Sequence, residues 1–161
     1  MFTKITLENF RSFDHIELDL TEKGNTAKHL AILYGENGAG KSNLMSAFVL
    51  LPELTRTMDA RAAYERILAQ GAIFQDENME KEMREHIRQR LRDMSAIIKD
   101  YQMADCENPI IAEYEFNIDG NNGCYRVEFG QDEILHERLE FVLNRRRGLY
   151  FDCSVTGINI N

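Results

Sequence analysis

The chain has 161 residues, of which 43% are hydrophobic, and this is enough for one domain with an apolar core but not for two independent domains. Its net charge of -8 excludes a strongly basic, nucleic-acid-binding surface over the whole chain. No apolar run approaches the roughly 20 residues that a membrane-spanning helix needs, and no basic stretch followed by an apolar one opens the chain. We therefore expect a soluble, cytoplasmic protein without a signal segment and without a membrane partner.

The charged residues are unevenly distributed along the chain. Residues 105–140 carry 2 basic and 10 acidic side chains, so nearly all of the acidic excess lies in one segment. Because this segment also alternates polar and apolar residues, we expect it to present a solvated acidic face. The cysteines and histidines do not follow metal-ligand spacing, so we expect reduced cysteines and no metal site built from these residues.

Strand patterns begin the chain. Polar and apolar residues alternate at 3–7 and again at 16–20, which predicts a β-hairpin with residues 9–14 between its strands. Residues 29–34 form a short, nearly continuous apolar run, which is the pattern of a strand buried on both faces. This predicted strand leads directly into Gly35.

Helical patterns follow. Residues 41–51 contain no helix breaker and precede Pro52, so we predict a helix that ends there. Two further helical patterns occupy residues 59–70 and 76–103. In the second pattern, apolar residues three or four positions apart form one narrow stripe, made of Met79, Met83, Ile87, Leu91, Met94, Ile98 and Tyr101. Such a stripe is typical of a helix that packs on its own domain, and it also fits a coiled-coil or partner-binding seam.

Alternation returns after Pro109. Residues 110–118 and 125–129 flank a turn, which predicts a hairpin, and two more strand patterns follow at 135–143 and 149–155. The sequence thus predicts an antiparallel meander after the helical segment. We divide the single domain, 1–161, into a hairpin, strand and helix at 1–53, a helical insertion at 54–104, and a strand meander at 105–161.

One segment carries recognisable chemistry. It is Gly35-Glu36-Asn37-Gly38-Ala39-Gly40-Lys41-Ser42, which matches the phosphate-loop pattern GxxxxGK[ST] between a predicted strand and a predicted helix. The glycines allow the backbone N–H groups of residues 37–42 to point inward, and the helix that follows presents its positive end to the phosphates. Lys41 supplies a charge for the γ-phosphate, and Ser42 supplies a hydroxyl ligand for Mg²⁺. We predict an ATP and Mg²⁺ site that runs from Gly35 to Asn43.

The segments ITLENFRSFDHIELDL and AILYGENGAGKSNLMSAFVLL resemble the N-terminal lobe of ABC-type ATPase heads of the RecF and SMC class. They are most similar to prokaryotic RecF-like AAA family ATPases, which are often found in abortive-infection and phage-defence operons. The resemblance is specific over residues 1–52 and looser over residues 109–154. It implies an α/β P-loop NTPase fold in which antiparallel strands lie beside the P-loop strand and helix, with a helical insertion.

The resemblance also implies roles and partners. In such heads Arg11 and Ser12 lie near the α-phosphate and the base, and a guanidinium can bind a phosphate through two hydrogen bonds or stack on adenine. The alternative for Arg11 is an exposed arginine in a turn. Since these heads work as pairs, the resemblance implies a second ATPase head as a partner and an effector protein that the ATP cycle drives.

Three elements that such heads use for hydrolysis are missing from the sequence. The Asp-Glu pairs at 76–77 and 132–133 do not follow an apolar run, so we take neither as catalytic. The LSGG-type signature and the switch histidine are absent, and Gln70 and Gln75 fit the magnesium-sensing glutamine only by position. We therefore expect the N-terminal part of a longer ATPase, in which Lys41 supports transition-state charge and no catalytic residue is identified.

Other functions compete with an ATPase. A non-catalytic module that senses nucleotide, or assembles on it, would bind ATP without turnover. A small-molecule kinase with the same loop predicts a parallel βαβ pattern after Pro52, which the later alternation opposes. Nucleic acid is a weaker candidate partner, because the arginines at 145–147 fit a solvated loop better than a phosphate contact. The basic stripe of Arg84, Arg88 and Arg92 is interrupted by glutamates.

Overall fold

The structure, a computed structural model, describes residues 1–22, 26–70, 94–131, 133–143 and 146–160. Within these ranges, seven strands form one antiparallel sheet in the order β2-β1-β3-β4-β5-β6-β7. The strands are β1 (Phe2–Phe10), β2 (Phe13–Asp19), β3 (Ile110–Ile118), β4 (Asn121–Phe129), β5 (Ile134–Leu143), β6 (Arg146–Ser154) and β7 (Gly157–Ile160). The two described helices, α1 (Lys41–Gln70) and α2 (Met94–Tyr101), lie between β2 and β3 in the chain.

The first hairpin is confirmed, and its loop is tighter than the sequence predicts. β1 and β2 stay paired up to Phe10 opposite Phe13, so only Arg11 and Ser12 form the connection, instead of residues 9–14. Arg11 has a φ of 52°, and two-residue hairpin loops favour such positive values. The short turn therefore fixes the position of both residues at the end of the hairpin.

The core lies between the sheet and the two helices, α1 and α2. Its strand residues include Ile5, Leu7, Ala112, Tyr114 and Val127, and its α1 residues include Leu44, Ala47 and Leu50. The alternate burial along β1 and β3 confirms the strand periodicity seen in the sequence. The Tyr114 hydroxyl donates a hydrogen bond of 2.7 Å to the Ala47 carbonyl, so a buried polar contact joins the sheet to α1 in addition to apolar packing.

The helix α1 continues past Pro52, so the helix end predicted there is wrong. It runs from Lys41 to Gln70 and includes the helical pattern predicted at 59–70. Proline removes one backbone donor and crowds the preceding turn, which is why the sequence predicts a break. Here Leu54, only 9% exposed, is held in the core, and the Thr55 hydroxyl donates to the Pro52 carbonyl at 2.9 Å. These contacts retain the helical turn around the proline.

The strand predicted at residues 29–34 is also wrong. β1 is paired on both edges, and the backbone of this segment makes no hydrogen bond to any other residue that the structure describes. Its apolar side chains are exposed, with Leu30 75%, Ile32 61% and Tyr34 86% accessible. An apolar run becomes a buried strand only where other strands pair with it, and none of the described strands lies beside it. The described sheet therefore contains antiparallel strands without the predicted P-loop strand.

The strand meander is confirmed and is longer than predicted. β3 and β4 form the predicted hairpin, with Asp119 and Gly120 at its turn, and β5 and β6 match the two later strand patterns. The last strand, β7, pairs with β6 and is not predicted from the sequence. Its residues Gly157 and Asn159 are poor strand formers, so the pattern carries little strand signal.

Only the end of the helix predicted at 76–103 is described, as α2. The stripe residues Met79, Met83, Ile87 and Leu91 lie outside the described residues. In α2, Ile98 and Tyr101 are buried as the stripe predicts, and Ile97 is buried as well. Neither of the two described helices combines the length and the apolar character needed to cross a membrane.

Candidate nucleotide-binding site

The segment from Gly35 to Gly40 forms a loop that leads into α1. Gly38 has a φ of 88° and Gly40 a φ of 84°, values that residues with a Cβ rarely adopt. The Ala39 amide donates to the Glu36 carbonyl at 3.2 Å and closes a turn inside the loop. Residues 35–39 are exposed, so the loop is accessible to a ligand.

Lys41, the first residue of α1, bends back over this loop. Its Nζ donates to the Gly35 carbonyl at 2.7 Å and to the Glu36 carbonyl at 2.6 Å. An ammonium has three N–H donors, so these bonds use two of them. The positive charge is thereby held above the loop, at the end of α1 where the helix dipole is also positive.

The hairpin turn contacts the loop and the first turn of α1. The Asn43 side-chain amide donates to the Ser12 hydroxyl at 2.8 Å. A Cβ built on Gly40 would lie 2.7 Å from Cζ of Phe13 and 3.3 Å from the Ser12 hydroxyl, so the hairpin leaves room only for glycine. The structure thus brings Ser12 and Asn43, both predicted as site residues, into direct contact.

Arg11 is half-buried rather than exposed. Its backbone N–H donates to the Tyr101 carbonyl at 2.8 Å, and its guanidinium carbon lies 4.8 Å from the centre of the Tyr101 ring. The Nε of Arg11 is buried and has no hydrogen-bond partner among the described residues. A buried donor without a partner is unfavourable, so this nitrogen lowers the stability of the Arg11 conformation.

Neither Phe13 nor Tyr101 is predicted from the sequence to belong to the site. Phe13 follows the Arg11–Ser12 turn directly, and its contact with Gly40 depends on how the hairpin packs on the loop. Tyr101 belongs to the predicted apolar stripe, so the sequence presents it as a core residue. No spacing in the sequence links it to Arg11, because the two come together only through tertiary packing.

Several other candidates cannot be placed in the site. The residues outside the described ranges are Gln75, Asp76, Glu77, Arg84, Arg88, Arg92, Asp132 and Arg145. The residues whose backbone is described without the side chain are Gln70, Arg146 and Arg147. The glutamine assignment and the arginine stripe therefore remain predictions.

Several side chains on the described strands have shifted pKa values. A hydrogen-bonded ion pair of 2.9 Å raises the pKa of Lys4 and lowers the pKa of Glu17. Burial raises the pKa of Tyr114 and of Tyr125. For Tyr125, the hydrogen bond of 2.7 Å that its hydroxyl donates to Glu137 raises the pKa further. These four groups lie on β1, β2, β3 and β4, outside the loop.

Comparisons with known proteins concern the family of the chain. The sequence profile of a family described as AAA domain matches residues 4–134. The DNA replication and repair protein RecF of Bacillus mycoides (strain KBAB4) is 41% identical to this chain over 49 residues. The aligned region is 30% of this chain and 12% of that relative, so the chain matches only a small part of the relative's length. Both findings support the AAA and RecF-like ATPase resemblance drawn from the sequence.

Proposed function

Since this chain belongs to the AAA domain family, which implies a P-loop NTPase, we propose that residues Gly35 to Asn43 bind Mg-ATP. The observation that carries the proposal is the ammonium of Lys41, which lies over the carbonyls of Gly35 and Glu36 at the start of α1. A cationic donor beside a glycine loop and a helix N-terminus suits an anion with several oxygens. A nucleotide triphosphate is such an anion.

The residues of the loop fit a magnesium nucleotide. Ser42 is exposed in the first turn of α1, where its hydroxyl is available as a metal ligand. Bound Mg²⁺ would neutralise charge on the β- and γ-phosphates. In this proposal Lys41 and the amides of residues 37–42 bind phosphate oxygens. Arg11 and Ser12 support the α-phosphate and adenine.

The proposal extends to the whole protein as an ABC-type ATPase of the RecF and SMC class. Two heads would dimerise on ATP, water would attack the γ-phosphate in line, and positioning with charge neutralisation would supply most of the catalysis. The ATP cycle would drive an effector protein, in phage defence or in DNA maintenance. The identity of 41% to RecF over 49 residues and the antiparallel strands that follow α1 and α2 support this extension.

A nucleotide-sensing module that binds ATP without hydrolysing it is the second candidate. The observation in its favour is that no Asp-Glu pair in this chain follows an apolar run. Hydrolysis needs a carboxylate that polarises the attacking water. An ATPase therefore requires this group from a segment other than these 161 residues, whereas a sensing module does not require it.

The first experiment is a calorimetric titration of Mg-ATP into the chain and into Lys41→Ala. Loss of charge-assisted hydrogen bonds costs about 1.5–3 kcal/mol, so the Kd of Lys41→Ala should rise by roughly 10- to 100-fold. Lys28→Ala is the matched control, because Lys28 donates to the Asp19 carbonyl at 3.1 Å and lies outside the loop. Absence of binding, or equal Kd values for the wild type and Lys41→Ala, would contradict the proposal.

Phosphate release measured in the same samples separates the two candidates further. Binding without release is expected if the catalytic carboxylate lies outside these residues. Release above the level of Lys41→Ala would instead require a catalytic carboxylate within this chain. In the intact protein, turnover favours the ATPase and its absence favours the sensing module.

A further inference from the structure

We propose that Tyr101 is a positioning residue of the nucleotide site, which holds the Arg11–Ser12 turn in the place where it meets the phosphate loop. The inference rests on the proposed function and deepens it. It gives the end of the helical insertion a role at the nucleotide site, since Tyr101 is the last residue of α2.

Tyr101 contacts the hairpin turn in two ways. Its carbonyl accepts the Arg11 backbone N–H at 2.8 Å, and its ring lies under the guanidinium, 4.8 Å from the guanidinium carbon. The same ring stacks on Phe10, with ring centres 5.3 Å apart. Tyr101 is 3% exposed, so its own position is fixed by the packing around it.

These contacts act on a residue that needs support. Arg11 has a positive φ of 52°, which is strained for a residue with a Cβ, and its Nε has no hydrogen-bond partner among the described residues. A long arginine side chain has many rotamers, and an aromatic face that attracts the guanidinium selects those that lie on the ring. The Tyr101 carbonyl therefore holds the backbone of Arg11, and the Tyr101 ring pre-orders its side chain.

The Arg11–Ser12 turn also contacts the start of α1, directly after the loop. Ser12, the next residue, accepts a hydrogen bond of 2.8 Å from Asn43 in the first turn of α1. The Tyr101 hydroxyl makes a different contact, since it donates a hydrogen bond of 3.1 Å to the Glu53 carboxylate of α1. The ring and the hydroxyl thus make separate contacts, with the hairpin turn and with α1, and substitutions can remove them separately.

The test measures the Kd of Mg-ATP for the chain with single and double substitutions. Tyr101→Phe keeps the ring and loses only the hydroxyl, so its Kd should stay within about twofold of the wild type. Tyr101→Leu removes the ring and should raise the Kd by roughly 3- to 10-fold. In an Arg11→Ala background, Tyr101→Leu should have no further effect, because the side chain that the ring orders is gone.

This coupling separates positioning from stability, since a general loss of stability would weaken binding equally in both backgrounds. Thermal unfolding is recorded for every variant, and Tyr101→Met, which fills a similar apolar volume without an aromatic face, replaces Tyr101→Leu if the leucine variant does not fold. A Tyr101→Leu or Tyr101→Met chain that binds like the wild type, or equal effects with and without Arg11, would overturn the inference alone. Wild-type chain that does not bind, or that binds no better than Lys41→Ala, would overturn the proposed function and the inference together.

Discussion

Replacing Gly40 with alanine tests the contact between the hairpin and the phosphate loop. Gly40 has a φ of 84°, and an added Cβ would lie 2.7 Å from Cζ and 2.9 Å from Cε1 of Phe13. Carbon atoms in favourable contact are about 3.5–4.0 Å apart, so either the ring or the loop has to move. Phe13 is partly buried and packs against the core, which restricts the movement of its ring.

Two effects add in Gly40→Ala. A left-handed backbone costs a residue with a Cβ about 1–2 kcal/mol, and overpacking costs about 1–3 kcal/mol. We expect the free energy of unfolding to fall by about 2–5 kcal/mol. Gly38→Ala is the matched control, because Gly38 has a φ of 88° and nothing within 4 Å of an added Cβ. The free energy of unfolding of Gly38→Ala should fall by about 1–2 kcal/mol from the backbone effect alone.

Thermal unfolding without nucleotide, followed by circular dichroism, measures the difference. A change of 1 kcal/mol corresponds to about 2–4 °C in Tm for a domain of this size, so the overpacking of about 1–3 kcal/mol should make Gly40→Ala unfold roughly 2–12 °C below Gly38→Ala. Phe13→Leu removes the ring atoms that the new methyl group meets. In that background Gly40→Ala should cost no more than Gly38→Ala. Equal Tm values for the two alanine variants would contradict this prediction, because the Phe13 ring would then move aside at no cost in free energy.

Three further predictions concern the core and the strands. Tyr114→Phe removes the buried bond to the Ala47 carbonyl and should lower the unfolding free energy by about 0.5–1.5 kcal/mol in chemical denaturation; an unchanged midpoint would contradict it. Burial raises the pKa of Tyr114 and Tyr125 above the ordinary 10.0, so the folded state keeps protons that the unfolded state releases. Stability is therefore fully present below pH 10.0 and should fall above it by about 1.4 kcal/mol per pH unit for each tyrosine, and a flat alkaline denaturation profile would argue against this. Ile98→Glu places a charge at a position that is 1% exposed and should unfold or loosen the domain, whereas exposed Lys99→Glu should keep the wild-type Tm; similar melting curves would show that Ile98 is not a core position.

The antiparallel strands were predictable because their information is local. Alternation with a period of two fixes which side chains of β1 and β3 face the core, and the turn at Asp119 and Gly120 separates β3 from β4. The same period does not locate partners that are distant in the chain. The apolar run at 29–34 has the composition of a central strand, yet no described strand pairs with it and its side chains are exposed.

The loop at residues 35–40 was predictable for a different reason, since the phosphate-loop pattern has glycines and a lysine at fixed spacing. The sequence does not contain the contacts that surround the loop. Phe13 beside Gly40, and Tyr101 under Arg11, depend on how the hairpin, α1 and α2 pack together. The continuation of α1 past Pro52 has a similar origin, because burial of the next turn outweighs the local preference of proline.

The two bonds from Lys41 to the loop carbonyls have a consequence for binding thermodynamics. They connect the start of α1 to Gly35 and Glu36 and so form an internal brace that ties the two ends of the loop together. A loop whose shape is already fixed loses little conformational entropy when a ligand arrives. Phosphate oxygens must also compete with the carbonyls for the ammonium, so the measured affinity reflects an exchange of hydrogen bonds and not their simple gain. The two Lys41 bonds therefore reduce the net enthalpy gained on binding. In return, the loop is already ordered before a ligand arrives.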